Sequence, residues 1–199
     1  MKKRKIRSLS VSEIGMGCMG FSHGYGQIPA AGYAEEAIRE AFDYGCNFFD
    51  TAEVYGKELY YPGHNEEIVG RAVKGFRNEV VIATKLFIKP EMVEDCGSVD
   101  AVVRRHLEHS LKNLQTSYVD LYYLHRINIA VDYLEVAHAM GRLIHEGLIR
   151  EWGISAVDKV QLERVNAITP VGAVQNIYSM VERTSEKEVI PFCVENGIA

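Results

Sequence analysis

Short apolar runs alternate along this chain with stretches whose apolar residues recur at helical spacing, and little lies between them. The runs at residues 12–16, 47–50, 80–84, 118–124, 149–154 and 171–175 read as strands. Residues 80–84 are strongly β-branched, which suits a pleated and buried surface. The helical spacing covers residues 33–44, 65–74, 99–114, 132–145, 159–166 and 186–195. Punctuation agrees with the pattern. Gly45, Gly75, Gly147 and Gly197 follow four of these stretches, where a left-handed residue ends a helix. Ser98 stands where the third long helix needs an N-cap, and Ala101 favours its first turn.

Six strand–helix units in strict alternation specify a parallel sheet, either open and doubly wound or closed into a barrel. Gly15, Gly17 and Gly20 satisfy the G-x-G-x-x-G pattern of a dinucleotide-binding turn. No helix pattern follows them, however. Residues 21–31 form a polar, glycine-bearing loop with Pro29, so this fingerprint carries little weight. A barrel is the expectation, because chemically active residues recur at one strand end after another, as on the C-terminal face of a (β/α)8 barrel. A closed barrel of that kind has eight units. The count stops at six, in one domain over residues 1–199, where a seventh strand should open. The chain then reads as a fragment, a natural truncation, or a barrel with two strands unrecognised.

Those active residues are Asp50, Tyr55, Lys85 and His125. Asp50, Lys85 and His125 each end an apolar run, and steps of 35 and 40 residues separate them, about one strand–helix unit each. On neighbouring parallel strands they would converge with Tyr55 on one rim. An acid, a phenol, an ammonium and an imidazole brought together make a proton-transfer device. Taken singly, each has a plainer role. Tyr55 is one of 11 tyrosines, Lys85 a strand-end lysine, His125 a core histidine and Asp50 a cap for the turn at Thr51. Their common register favours catalysis.

Composition narrows the class. Of 199 residues, 47% are hydrophobic and 25% charged, an ordinary globular balance. No run approaches the length of a membrane span, and no apolar signal core follows the basic start, so a cytoplasmic protein without membrane contact is expected. The net charge of −5 argues against nucleic acid as the main partner. The basic stretch from Lys2 to Arg7 reads as the charged edge of a short hairpin, with a nuclear address or nucleic-acid arm as the alternative. Cys18, Cys46, Cys96 and Cys193 share no metal-like spacing and suggest reduced thiols. His106 and His109 stand at helical i,i+3 spacing among Arg104, Arg105 and Lys112. That reads as a solvated face, and no metal site is expected.

Seven stretches, in order, closely resemble the aldo-keto reductase family. They are residues 12–20, the Phe-Asp-Thr-Ala-Glu-Val-Tyr-Gly run from Phe49 to Gly56, and Asn65-Glu66-Glu67 with Gly70-Arg71-Ala72. Thr84-Lys85 and the Asp120–Arg126 run follow. Gly147–Arg150 with Gly153-Ile154-Ser155, and Gln175–Ser179, complete the set. The resemblance covers nearly the whole chain and about the first two thirds of a typical member. It implies a nicotinamide cofactor, NADPH with NADH possible, and a small-molecule aldehyde or ketone as substrate. Tyr55 would then donate the proton, Lys85 would lower its pKa, Asp50 would pair with Lys85, and His125 would hold the substrate oxygen. It also implies that Gly17, Cys18, Met19, Asp50, Ser155 and Gln175 face the cofactor. The chain departs at Ala156, where members often carry Asn, and no positions match the units that hold the cofactor's phosphates. Two alternatives stay open. One is an inactive fragment or a non-enzymatic binding barrel, self-associating through open sheet edges. The other is an unrelated barrel enzyme with a Schiff base on Lys85, which leaves Asp50 and Tyr55 unexplained. Residues 21–31 and 87–96 are expected to overhang the rim as loops.

Overall fold

The structure is a computed structural model that describes residues 1–22, 29–30 and 32–199. An N-terminal hairpin, β1 (Lys3–Ile6) and β2 (Leu9–Ser12), precedes the main sheet. That sheet contains β3 (Met16–Gly17), β4 (Phe48–Asp50), β5 (Val81–Leu86), β6 (Val119–Leu124), β7 (Ile149–Ser155) and β8 (Ala173–Gln175). The six strands are hydrogen-bonded in sequence order and every pairing is parallel. Helices α1 (Tyr33–Asp43), α2 (His64–Val73), α3 (Pro90–Cys96), α4 (Val99–Leu114), α5 (Tyr133–His145), α6 (Lys159–Ile168) and α7 (Val189–Asn196) join or follow the strands. This is a (β/α)8-type barrel carried through six of its units, the one of the two expected architectures that the recurring strand-end residues favour. At its far edge, Val174 N donates to Ala199 O (2.8 Å) and Ala199 N donates to Gly172 O (3.0 Å). The last residue thus lies beside β8 as the next strand would.

Local sequence explains the elements. Both β5 and β6 are buried along their whole length and are mostly apolar, with Thr84, Lys85 and Asp120 held by internal hydrogen bonds. Ser98 accepts from Ala101 N (3.1 Å) at the start of α4. Asp158 and Gln161 form a reciprocal capping box at α6. Gly45, Gly97, Gly147 and Gly197 take positive φ where helices end.

Two apolar layers flank the sheet. The larger lies between sheet and helices and includes Ile38, Val69, Ile82, Leu107, Tyr122, Met140, Trp152 and Leu162. Trp152 is core, with Nε1 donating to Thr169 O and Pro170 O. The smaller layer is the concave interior: Val81, Ala83, Leu121, Tyr123 and Ala173 pack with Ile6, Leu9 and Val11 of the hairpin. The hairpin therefore plugs one end, its apolar face inward and its lysines out, which is the hairpin reading of the basic N-terminus. Gly153 leaves the space that the Tyr123 ring fills. At the same end, buried Asp120 accepts from Arg77 Nη2 (2.7 Å) and Ile82 N (3.0 Å), and Arg150 Nε lies 3.4 Å away. Both guanidiniums stack on the Tyr118 ring, at 4.2 and 4.3 Å.

Several boundaries differ from the sequence reading. The first barrel strand is Met16–Gly17, not residues 12–16, because Ser12 is already paired antiparallel with Lys3. At Gly15 a Cβ would sit 2.7 Å from Phe48 Cδ1, so the chain crosses there too closely for a side chain. Residues 87–96 are not all loop, since Pro90–Cys96 is helical. Pro90 at the start and Gly97 (φ +82°) at the end are its signals, but seven residues are too few to show a period. The last helix begins at Val189 after a short 3-10 turn over Thr184–Glu186, rather than at Glu186. Most of the 21–31 loop lies outside the described residues.

Candidate active site

The backbone brings the four residues to one rim in stages. Asp50 ends β4, and the chain keeps to the edge of β5 for three more residues: Thr51 N donates to Ala83 O (2.9 Å) and Glu53 N to Lys85 O (3.2 Å). The segment then turns, with Tyr55 N on Ala52 O (3.1 Å). His125 continues β6 in the same way, its N donating to Leu86 O (2.9 Å). The sheet's parallel register therefore sets Asp50, Lys85 and His125 on three adjacent strand ends, and the 51–55 turn adds Tyr55. The Tyr55 and His125 rings meet edge-on with centroids 5.9 Å apart, and Lys85 Nζ lies 5.3 Å from the Tyr55 ring centre.

Lys85 is 1% exposed. Its Nζ donates to Asp50 Oδ1 and to Thr51 O (2.8 Å). Burial pulls its pKa below the ordinary lysine value while Asp50 opposes that pull. The Asp50 carboxylate is shared: Gln175 Nε2 donates to Oδ2 at 3.1 Å, from the far strand of the sheet. Ser155 Oγ donates to Gln175 O (2.7 Å). Asn176 turns away and ties its amide to Val157 N (3.0 Å) and Val157 O (2.8 Å).

The electrostatics differ from the expectation for Tyr55. Its pKa is pushed up to about 12, first by burial and then by Asp50, with Arg126 acting weakly the other way. Lys85 Nζ lies 5.3 Å from the ring centre but is paired with Asp50 and the Thr51 carbonyl, and burial with Asp50 sets the direction of the shift. A phenol so placed holds its proton firmly at neutral pH. His125 is pulled down to about 4 by burial, then by Lys85 and Arg126, so its imidazole is neutral at pH 7.

At the other expected positions, Gly17 is exposed at the end of β3, with open space where a side chain would stand. Met19 is half-buried in a 3-10 turn. Cys18 is fully buried: its N donates to Asp50 O (2.8 Å), and burial pushes its thiol up. It clamps β3 to β4 and shows no surface.

Some residues take supporting roles that the sequence does not assign. Asn65 is buried at the start of α2, accepting from Thr51 Oγ1 (2.6 Å) and donating to Cys18 O (2.9 Å) and Ser22 Oγ (2.8 Å). It therefore ties the turn after β4 to the loop after β3. Glu53 accepts from Phe87 N (2.8 Å) and pairs with His106 Nδ1 (2.6 Å). His106 is thus half-buried against the site's supporting loop and not on a solvated face. Polar residues amid apolar ones at an element start were the available signal. Among the described residues, no group of three or more His, Cys, Asp or Glu could hold a metal ion, and no helix is long and apolar enough to cross a membrane.

Ala156 follows Ser155 with φ +54°. A left-handed alanine costs roughly 1 kcal/mol, which asparagine largely avoids. Ala156→Asn is therefore expected to stabilise the fold by about 0.5–1 kcal/mol. Urea denaturation checks this: the midpoint should rise, and an unchanged or lower midpoint contradicts it.

Comparison with known proteins adds to this geometry. The sequence matches the model of the Aldo/keto reductase family over residues 13–199. It is 36% identical over 200 residues to the soybean (Glycine max) protein "Probable aldo-keto reductase 1", covering 98% of this chain and 56% of that protein. It is 36% identical over 166 residues to aldo-keto reductase YhdN of Bacillus subtilis, covering 82% and 49%. The chain thus spans about half the length of the curated relatives it matches. Its fold superimposes on an aldo-keto reductase from Klebsiella pneumoniae, solved in complex with NADPH, with a TM-score of 0.80 and 31% identity. The match covers all of this chain and 66% of that one. The parallel strand order, the rim at the strands' C-terminal ends and the sequence match agree, and the chain belongs to the aldo/keto reductase family.

Proposed function

We propose that this chain is a single domain carrying the proton-transfer side of an NADPH-dependent reductase of aldehydes or ketones. The observation that supports this most is the convergence of Asp50, Tyr55, Lys85 and His125 on one rim. The residues present suit a nicotinamide. Gly17 leaves an open cradle at the end of β3, and Gln175 sets an exposed side-chain amide at the end of β8, beside the Ser155 hydroxyl. Gln175 and Ser155 would hold the carboxamide, and Gly17 and Met19 would line the approach. When bound, the cofactor supplies the hydride. The Klebsiella relative's complex with NADPH supports that cofactor class.

The chain's own groups do the rest. Tyr55 donates its proton to the oxygen that becomes the alcohol; its raised pKa keeps that proton in place until charge develops on the substrate. Neutral His125 offers a hydrogen bond to the same oxygen and orients it. Lys85 adds a fixed positive charge beneath the phenol, and Asp50 and Thr51 fix its position. Because Lys85 is buried and doubly bonded, it acts by charge and not as a nucleophile.

The test is cofactor consumption by the full natural chain with a panel of aldehydes and ketones. One NADPH should be oxidised per alcohol formed. A borohydride-stable substrate adduct on Lys85, or no NADPH consumption with any carbonyl of the panel, would contradict the reading.

A further inference from the structure

Behind the turn that carries Tyr55, a cavity of about 510 Å³ opens between that turn, α2, the β5–α3 connection and α4. This is the size of a site for a small organic ligand. It is distinct from the rim: Glu53 and Val54 line it, while the next residue, Tyr55, meets His125 and Lys85. Val54, Phe87 and Met92 give it apolar walls. Lys57, Lys89 and Lys112 also line it, each from a different element. Among the described residues Lys89 and Lys112 form no ion pair, and Lys57 has only the exposed Glu58, 3.7 Å away.

The acids of the cavity are already committed. Glu66 is fully buried and accepts from Thr84 Oγ1 (2.6 Å) and Asn113 Nδ2 (2.9 Å). Burial pushes its carboxyl up, which weakens its claim to a charge. Both Glu53 oxygens are taken, by Phe87 N and His106. The positive charge of the lysines is therefore left for something from outside. We propose that this cavity is a second ligand site, for a small organic carboxylate whose apolar body packs on Val54, Phe87 and Met92 and whose charge faces the lysines.

Calorimetric titration of the full natural chain with 1-naphthoate, and separately with uncharged 1-naphthylmethanol, tests this at low salt. Naphthoate should bind at least about tenfold more tightly, a difference of about 1.4 kcal/mol. Replacing the exposed Lys89 and Lys112 together by Gln should abolish that preference without lowering the thermal midpoint. Met92→Trp, which fills the cavity, should weaken both ligands. His125→Ala should leave naphthoate binding unchanged, since His125 belongs to the other side of the turn. Equal binding of the two probes, no binding, or binding lost with His125→Ala but kept in the Lys89/Lys112 variant would overturn the proposal.

Discussion

Tyr55→Phe is expected to lower kcat for carbonyl reduction by at least about a hundredfold, with cofactor affinity little changed. The substitution removes only the hydroxyl. The ring keeps its edge contact with His125 and its position over Lys85, so packing is preserved. The substrate oxygen then loses its proton donor. Neutral His125 cannot take over at pH 7, because it holds no extra proton to give. Steady-state rates and a cofactor fluorescence titration on the full natural chain separate the two effects. A variant with near wild-type kcat would remove Tyr55 from the role.

Lys85→Met should cost more than rate. It is expected to lower kcat by two to four decades, on the order of 3–5 kcal/mol of barrier. It should also destabilise the fold, because Asp50 loses its ammonium partner and keeps the neutral Gln175 amide. A buried pair broken on one side costs about 3–5 kcal/mol. Asp50 is 18% exposed, which places the cost near or below the low end of that range. Adding Asp50→Asn should then recover stability but not activity, since the unpaired charge is gone and the ammonium is still missing. Denaturant melts of the two single variants and the double variant check this cycle. A double variant no more stable than Lys85→Met would mean that the pair does not carry the coupling.

Much of this was legible in the sequence for definite reasons. β5 and β6 show themselves because a strand buried on both faces is mostly apolar, and the chemical residues stand out where those runs stop. The parallel order follows from the alternation with helices. The first barrel strand was misplaced because it has two residues, and the hairpin before it offers a longer apolar pattern. Helix α3 was missed because seven residues cannot show a helical period. In the site, Asp50, Lys85 and His125 could be placed from register alone. The charge balance could not. The direction of the Tyr55 shift depends on how deeply the ring is buried and how near Asp50 lies, which no spacing reveals. Glu53 and His106 lie 53 positions apart, and only the fold brings them together to brace the Tyr55 turn.

The central claim is that Tyr55, and not His125, exchanges the proton with the substrate oxygen. The pH dependence of alcohol oxidation tests it most directly, because that direction needs the group in its deprotonated form. With Tyr55 raised to about 12, the rate should climb steadily across the alkaline range that the fold tolerates, without levelling, and Tyr55→Phe should abolish the climb. A rate that levels off above the ordinary histidine range, or a profile unchanged in Tyr55→Phe, would contradict the account.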